Sequence, residues 1–144
     1  MDNRYLYRAK HSLNSKKWHI GNLFEEPDGL YLRDNKNNIM VYIQDPSTIC
    51  QCTGLKDKHG KLIFENDIVS FQFDNDDCPF PNKDTKKRIG KVFFSDFRAS
   101  WSITMGRNGS KSLNDDLWKY VQNGNRVEVI GSAIDNPELL GVGL

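Results

Sequence analysis

The chain has 144 residues, the size of one domain, and is long enough to bury about two-thirds of its unfolded surface. Twenty Lys and Arg stand against 19 Asp and Glu, a formal net charge of +1, which argues against a strongly basic nucleic-acid footprint and an acidic solvating tail. The longest apolar run is five residues, at 39–43, far short of the roughly twenty that a membrane-spanning helix needs.

Period-two alternation dominates the chain. Tyr5, Tyr7 and Ala9 share one face of a first strand, opposite Arg4 and Arg8. Trp18, Ile20 and Phe24 share a face of the next, and Ile39, Val41 and Ile43 align in a third. Val69, Phe71 and Phe73 oppose Ser70 and Gln72; Ala99, Trp101, Ile103 and Met105 oppose Arg98, Ser100, Ser102 and Thr104; Val127 and Val129 flank Glu128. Such runs predict half-buried strands with one wet face. On this reading the stripes that hold Trp18 and Trp101 are core, whereas Trp118 is exposed. Residues 89–95 are also strand-like, with Val92-Phe93-Phe94 covered on both sides.

Turn signals separate the strands: Pro27-Asp28-Gly29, Asn35-Lys36-Asn37-Asn38, Asp57-Lys58-His59-Gly60 and Ser95-Asp96-Phe97. Helix is scarce. Leu113, Leu117 and Val121 recur at i, i+4 and i+8, which predicts one helix near residues 113–122, capped by Ser112 or Asn114 and closed by Gly124. Asn136-Pro137 predicts a short C-terminal helical turn with the Asn side chain as its cap. Residues 75–88 hold two prolines and mixed charges and read as an exposed loop. If this loop contacts an acidic or phosphate-bearing partner, Lys83, Lys86, Lys87 and Arg88 are its contact residues.

Three cysteines, Cys50, Cys52 and Cys78, are an odd number and suggest thiols in a reducing compartment. Cys50 and Cys52 would share one strand face, yet structural zinc needs four ligands, and His11, His19 and His59 are scattered. The thiols are therefore expected as small buried hydrophobes, with no metal and no cofactor. The opening Met1-Asp2-Asn3-Arg4 has no apolar segment after it, so a cytoplasmic location is expected.

Two blocks carry a resemblance. Residues 52–69 read C-T-G-L-K-D-K-H-G-K-L-I-F-E-N-D-I-V, and residues 127–140 read V-E-V-I-G-S-A-I-D-N-P-E-L-L. In this order they closely resemble the YopX-like family of bacteriophage and prophage proteins. That family carries a TGL-D-x-x-G-x-x-I-x-E-G-D-I-V block and closes on V-x-V-I-G-N-x-x-x-N-P-E-L-L. Tyr5-Leu6-Tyr7-Arg8-Ala9 and Trp18-His19-Ile20-Gly21 are similar too. The resemblance implies a mobile-element protein without an established activity, and it supplies no catalytic or binding residues. The family's Gly in E-G-D is Asn66 here, the least costly non-glycine residue for a left-handed turn. Its Asn after V-I-G is Ser132.

The fold expectation is mainly β: antiparallel hairpins over residues 1–51 and a small SH3-like barrel over residues 52–144, forming one compact unit with one short helix and the C-terminal turn. The structural turn residues are Gly54, Asp57, Gly60, Glu65, Asn66, Asp67, Gly131, Asn136 and Pro137. Asp57, Glu65 and Asp67 lie within 11 residues and are candidates for a divalent cation or an acid–base pair. Asx-type turns account for Asp57 and Asp67 without chemistry. No phosphate loop, nucleophile elbow or zinc-protease motif is present, so no catalytic residue is assigned. The functional expectation is a non-enzymatic protein-interaction or self-assembly module, as a homo-oligomer or with a protein partner and away from membranes. The alternative is a nucleic-acid-binding barrel that uses Lys16-Lys17, Lys56, Lys58, Lys61 and Lys86-Lys87-Arg88.

Overall fold

The computed structural model describes residues 3–72, 87–106, 110–122 and 124–141. The chain divides into two units, Met1–Gly54 and Leu55–Leu144, and is mainly β. Among the described residues no helix is long and apolar enough to cross a membrane.

In the first unit a 3-10 turn at Asn3–Tyr5 leads into β1 (Tyr7–Ala9), β2 (His19–Glu26), β3 (Gly29–Asp34) and β4 (Ile39–Tyr42). A second 3-10 turn, Pro46–Thr48, precedes β5 (Cys50–Lys56), whose last two residues belong to the second unit. The strands pair antiparallel in the order β4-β3-β2-β1-β5. Leu23, Leu32 and Val41 lie opposite one another on one face. That face carries the small core of Ala9, Leu32 and Ile43, with Tyr7, Leu23, Leu30 and Ile49 packed against it. Asp45 accepts from the Ser47 N–H at 2.9 Å and starts the turn that returns the chain to β5. Cys50 and Cys52 are fully buried as thiols; Cys78 lies outside the described residues.

The second unit contains β6 (Leu62–Phe64), β7 (Asp67–Gln72), β8 (Lys87–Ser95), β9 (Ser100–Thr104), β10 (Asn114–Asp116), the helix α1 (Leu117–Val121) and β11 (Val127–Ser132), then a 3-10 turn at Pro137–Leu140. Five strands form an antiparallel sheet in the linear order β10-β9-β8-β7-β11, and no pairing among the described residues closes β10 onto β11. The core gathers Ile63, Val69, Phe71, Val92, Ile103, Leu117, Tyr120 and Val127, with Leu55, Trp101 and Val129 partly buried at its edge. The alternation in β7 and β9 aimed Val69, Phe71 and Ile103 inward. The alternation of Val127 and Val129 likewise placed Val127 in the core, whereas Tyr120, also fully buried, had no such stripe to mark it.

Several expectations are corrected. The stripe of Ile20 and Phe24 faces outward, each 42% exposed, while His19 and Gly21 on the other phase are buried. Trp18 is half-buried and belongs to neither core cluster. The helix has five residues and not about ten, because Asn114–Asp116 pairs with β9 as β10. Asp116, not Ser112 or Asn114, caps it, accepting from the Trp118 N–H at 3.1 Å. Asn136 makes no side-chain cap to the C-terminal turn; its Oδ1 accepts from the Ser132 N–H at 3.2 Å instead. Lys87 and Arg88 are strand, paired with Gln72 and Phe71. Arg98 and Ala99 precede β9 in the hairpin turn, where Ala99 has a φ of +52°. Phe94 is not covered but exposed, unlike Val92 and Phe93, whereas Trp118 is 54% exposed, as expected.

Candidate functional site

Strand alternation in the first unit leaves an outward face opposite its small core. In the β2–β3 and β3–β4 registers Phe24 lies opposite Tyr31 and Tyr31 opposite Tyr42. The next row on the same face is Asn22, Arg33 and Met40. Ile20 completes the outward phase of β2. Ile20, Phe24, Met40 and Tyr42 are each 41–47% exposed. Tyr31 and Tyr42 meet edge to face with ring centroids 5.3 Å apart. Three strands thus hold a contiguous aromatic and aliphatic patch on a hydrogen-bonded backbone. The outer edge of β4 is partly occupied at its end. There the Tyr42 carbonyl accepts from His11 Nδ1 at 2.7 Å, and the Gln44 N–H donates to the His11 carbonyl at 2.8 Å. The face, more than the edge, is therefore open to a partner.

The two ends of this face differ in charge. At the β2–β3 turn Glu26, on the outward phase, and Asp28 are exposed, and Asp28 accepts from the Tyr31 hydroxyl at 2.8 Å. At the opposite end Lys17 and Lys36 are exposed. Beside them a pocket of about 300 Å³ is lined by Lys17, Trp18, Ile20, Asp34, Lys36 and Asn37. Among the described residues neither lysine ammonium has an ion-pair partner. Trp18 is held from behind by cations: the Arg8 guanidinium lies 4.6 Å and the Lys10 ammonium 5.0 Å from its ring centroid.

Asp34 stiffens the pocket wall. Its Oδ1 accepts from the N–H groups of Lys36 and Asn37 at 3.1 and 3.0 Å. Its Oδ2 accepts from His19 Nδ1 at 2.7 Å and from the Asn37 amide at 2.9 Å. Burial alone would raise this carboxyl, but the His19 and Asn37 hydrogen bonds outweigh it and hold the pKa well below the ordinary range. A depressed folded-state pKa stabilises the fold above the unfolded value, near pH 4, and that contribution fades as the pH falls further. Asp34→Asn is expected to cost about 1–2 kcal/mol at pH 7 by replacing an acceptor with a donor facing His19 and Asn37. The same change should flatten the loss of stability below pH 4, as read by urea unfolding at pH 7 and pH 3.

The turn residues lie elsewhere. Asp57 is buried; its Oδ1 accepts from the N–H groups of His59 and Lys61, each at 2.9 Å, and its Oδ2 from Val129 at 3.0 Å. Asp67 is buried and accepts from the Phe64 N–H at 2.7 Å. Between them Glu65 and Asn66 make the β6–β7 turn, with Asn66 at a φ of +69°, where its short polar side chain tolerates the left-handed region. Gly54 and Gly60 both have a φ of +82°. Gly131 sits where β11 shifts register against β7; a Cβ there would come within 2.7 Å of Asn136 Oδ1 and 2.9 Å of Leu139. Pro137 opens the C-terminal turn. Among the described residues no three His, Cys, Asp or Glu side chains gather as a metal site. Lys83 and Lys86 lie outside the described residues; Lys87 and Arg88 are on β8.

The outward face escaped the sequence reading because β2 is apolar on both phases, Ile20 and Phe24 on one and Leu23 on the other. The signal that separates them is on the neighbouring strands. Leu32 and Val41 mark the hidden side, and Tyr31, Arg33 and Tyr42 the wet one.

The fold is similar to that of protein yopX from Bacillus subtilis. The two are 21% identical with a TM-score of 0.56, over 94% of this chain and 98% of that one. A second solved structure, protein EF1440 from Enterococcus faecalis, is 19% identical with a TM-score of 0.49, over 93% of this chain and 96% of that one. No curated protein matches the chain. The profile of the YopX protein family matches residues 29–141, most of the second unit and the last part of the first. The chain belongs to the YopX protein family.

Proposed function

We propose that this protein is a non-enzymatic interaction module of phage or prophage origin, and that it self-associates through the outward face of β2, β3 and β4. The observation that carries the reading is the cross-strand row of Phe24, Tyr31 and Tyr42, joined by Met40 and Ile20. Apolar side chains that are contiguous and exposed on a rigid sheet mark interaction sites. Aromatic residues, Met and Arg are the types enriched where proteins meet. The alternative, single-stranded nucleic acid stacked on the same rings, is disfavoured by charge: Glu26 and Asp28 border the aromatic row, where a phosphate backbone would be repelled.

Sedimentation equilibrium of the full chain at tens of micromolar is expected to show a reversible oligomer. Tyr42→Glu combined with Met40→Glu should weaken it at least tenfold with the circular dichroism spectrum unchanged, since both side chains point away from the core. A strict monomer would reject the reading. A salt-sensitive shift with single-stranded DNA, lost on Arg33→Ala, would favour the alternative.

A further inference from the structure

We infer that the partner on this face is a second copy of the chain, packed about a two-fold axis with its β2–β3 hairpin antiparallel to the first, so that each copy's Glu26-Pro27-Asp28 turn seats at the other's Lys17–Trp18–Lys36 pocket. The inference rests on the proposed self-association and adds the orientation of the two copies.

Strand β2 has eight residues, a span of roughly 25 Å at about 3.3 Å per residue. Its turn end carries the exposed carboxylates Glu26, on the outward phase, and Asp28; beyond its other end lie the exposed cations Lys17 and Lys36, with Arg33 between the two ends, opposite Asn22. A two-fold interface is isologous, so a contact from residue i to residue j is repeated from j to i. Packing two such faces with their hairpins parallel would set carboxylates over carboxylates and cations over cations. Packing them antiparallel sets acid over base at both ends, and like-charge juxtaposition is the main way that interfaces reject a wrong register.

The pocket supports the same orientation. It opens beside the face, because Ile20 both lines it and lies on the outward phase of β2. Its lining of two cations, an indole and an aliphatic side chain is complementary to an exposed acid–proline–acid turn. Pro27 can lie against Trp18 and Ile20 while Glu26 and Asp28 meet the lysines. Asp34, the one carboxylate in the wall, already accepts four hydrogen bonds within its own unit, which leaves the lysines to set the sign of the pocket. With the turn of each copy at the other's pocket, the axis passes near the middle of β2, beside the Asn22–Arg33–Met40 row, whose Arg33 guanidinium donates to Asn38 Oδ1 at 2.7 Å, and the Phe24–Tyr31–Tyr42 row lies next to it.

The test is a charge-swap experiment on the full chain by sedimentation equilibrium at low salt. Glu26→Lys with Asp28→Lys, and separately Lys17→Glu with Lys36→Glu, should each weaken self-association at least tenfold, because each places like charges at both ends of the pair. Mixing the two variants one to one should restore a dimer, since every end of the mixed pair then meets its opposite. The restoration also shows that neither variant failed through misfolding. The wild-type dimer should weaken as salt is raised. A wild-type dimer that Tyr42→Glu disrupts but both charge reversals leave intact would overturn the antiparallel pairing and spare the interaction face. Two weakened variants that stay apart when mixed would overturn the pairing as well. A wild-type monomer would overturn both.

Discussion

Phe71→Ala is expected to destabilise the second unit by about 3–5 kcal/mol, the range for truncating a fully buried phenylalanine. The side chain is 1% exposed and sits next to the last residue of β7, opposite Val127 of β11 and Arg88 of β8. Both neighbouring strands are hydrogen-bonded to β7, so the backbone cannot close on the space left behind. Nor can the nearest ring move in. Tyr120 meets Phe71 edge to face at 5.0 Å, but its hydroxyl donates to Asp115 at 2.7 Å, and leaving that bond would strand a buried polar group. Phe71→Leu keeps most of the volume and should cost less than half as much. Trp101 also packs against this core but is only partly buried, so Trp101→Ala should cost less than Phe71→Ala. Urea unfolding followed by tryptophan fluorescence checks the order; an alanine variant within 1 kcal/mol of wild type would mean that the core can collapse around the site.

What could be read from residues alone followed from how local each determinant is. The second unit was legible in part: period two aimed Val69, Phe71 and Ile103 inward, but on the opposite phase, expected to be wet, Ser70, Ser102 and Thr104 are buried as well. Asn66, whose φ is +69°, was legible as a left-handed position through the resemblance, which puts Gly there, since Asn is the least costly replacement for it. The short strand Asn114–Asp116 was not, since Asn and Asp are poor strand formers and only the pairing with Ser102 and Thr104 makes it one. The same long-range pairing shortened the helix that the spacing of Leu113, Leu117 and Val121 had suggested. The candidate site was hidden for a related reason: which phase of β2 is buried depends on Leu32 and Val41 across the sheet, not on β2 itself. The acidic end of that face was visible only as a turn signal at Pro27-Asp28-Gly29, and its meaning depends on the basic end that the fold places opposite.

Asp57→Ala should cost the second unit about 2–4 kcal/mol, because one carboxylate satisfies three backbone N–H groups and an orphaned donor costs roughly 1–3 kcal/mol when buried. Two of those donors, His59 and Lys61, belong to exposed residues of the β5–β6 turn and can turn to water. The third, Val129, lies within β11, and that bond ties the turn to a strand about seventy residues away. The Lys58 N–H reinforces the tie by donating to the Val127 carbonyl at 2.8 Å, but it cannot replace an acceptor for Val129. Burial works to raise the Asp57 carboxyl, yet the N–H groups of Val129, Lys61 and His59 prevail and hold it below its ordinary value. A lowered folded-state pKa stabilises fully above the unfolded value, near pH 4, and less as the pH falls below it. Wild type should therefore lose part of this contribution between pH 4 and pH 3, and Asp57→Ala, lacking the carboxylate, should be destabilised at pH 7 but less sensitive to that step. Asp57→Asn keeps one oxygen for two of the donors and sets an amide donor against the third, so it should fall between the two. If Asp57→Ala unfolded at the wild-type urea midpoint at pH 7, the carboxylate would be a surface turn residue and not the clasp between the β5–β6 hairpin and β11.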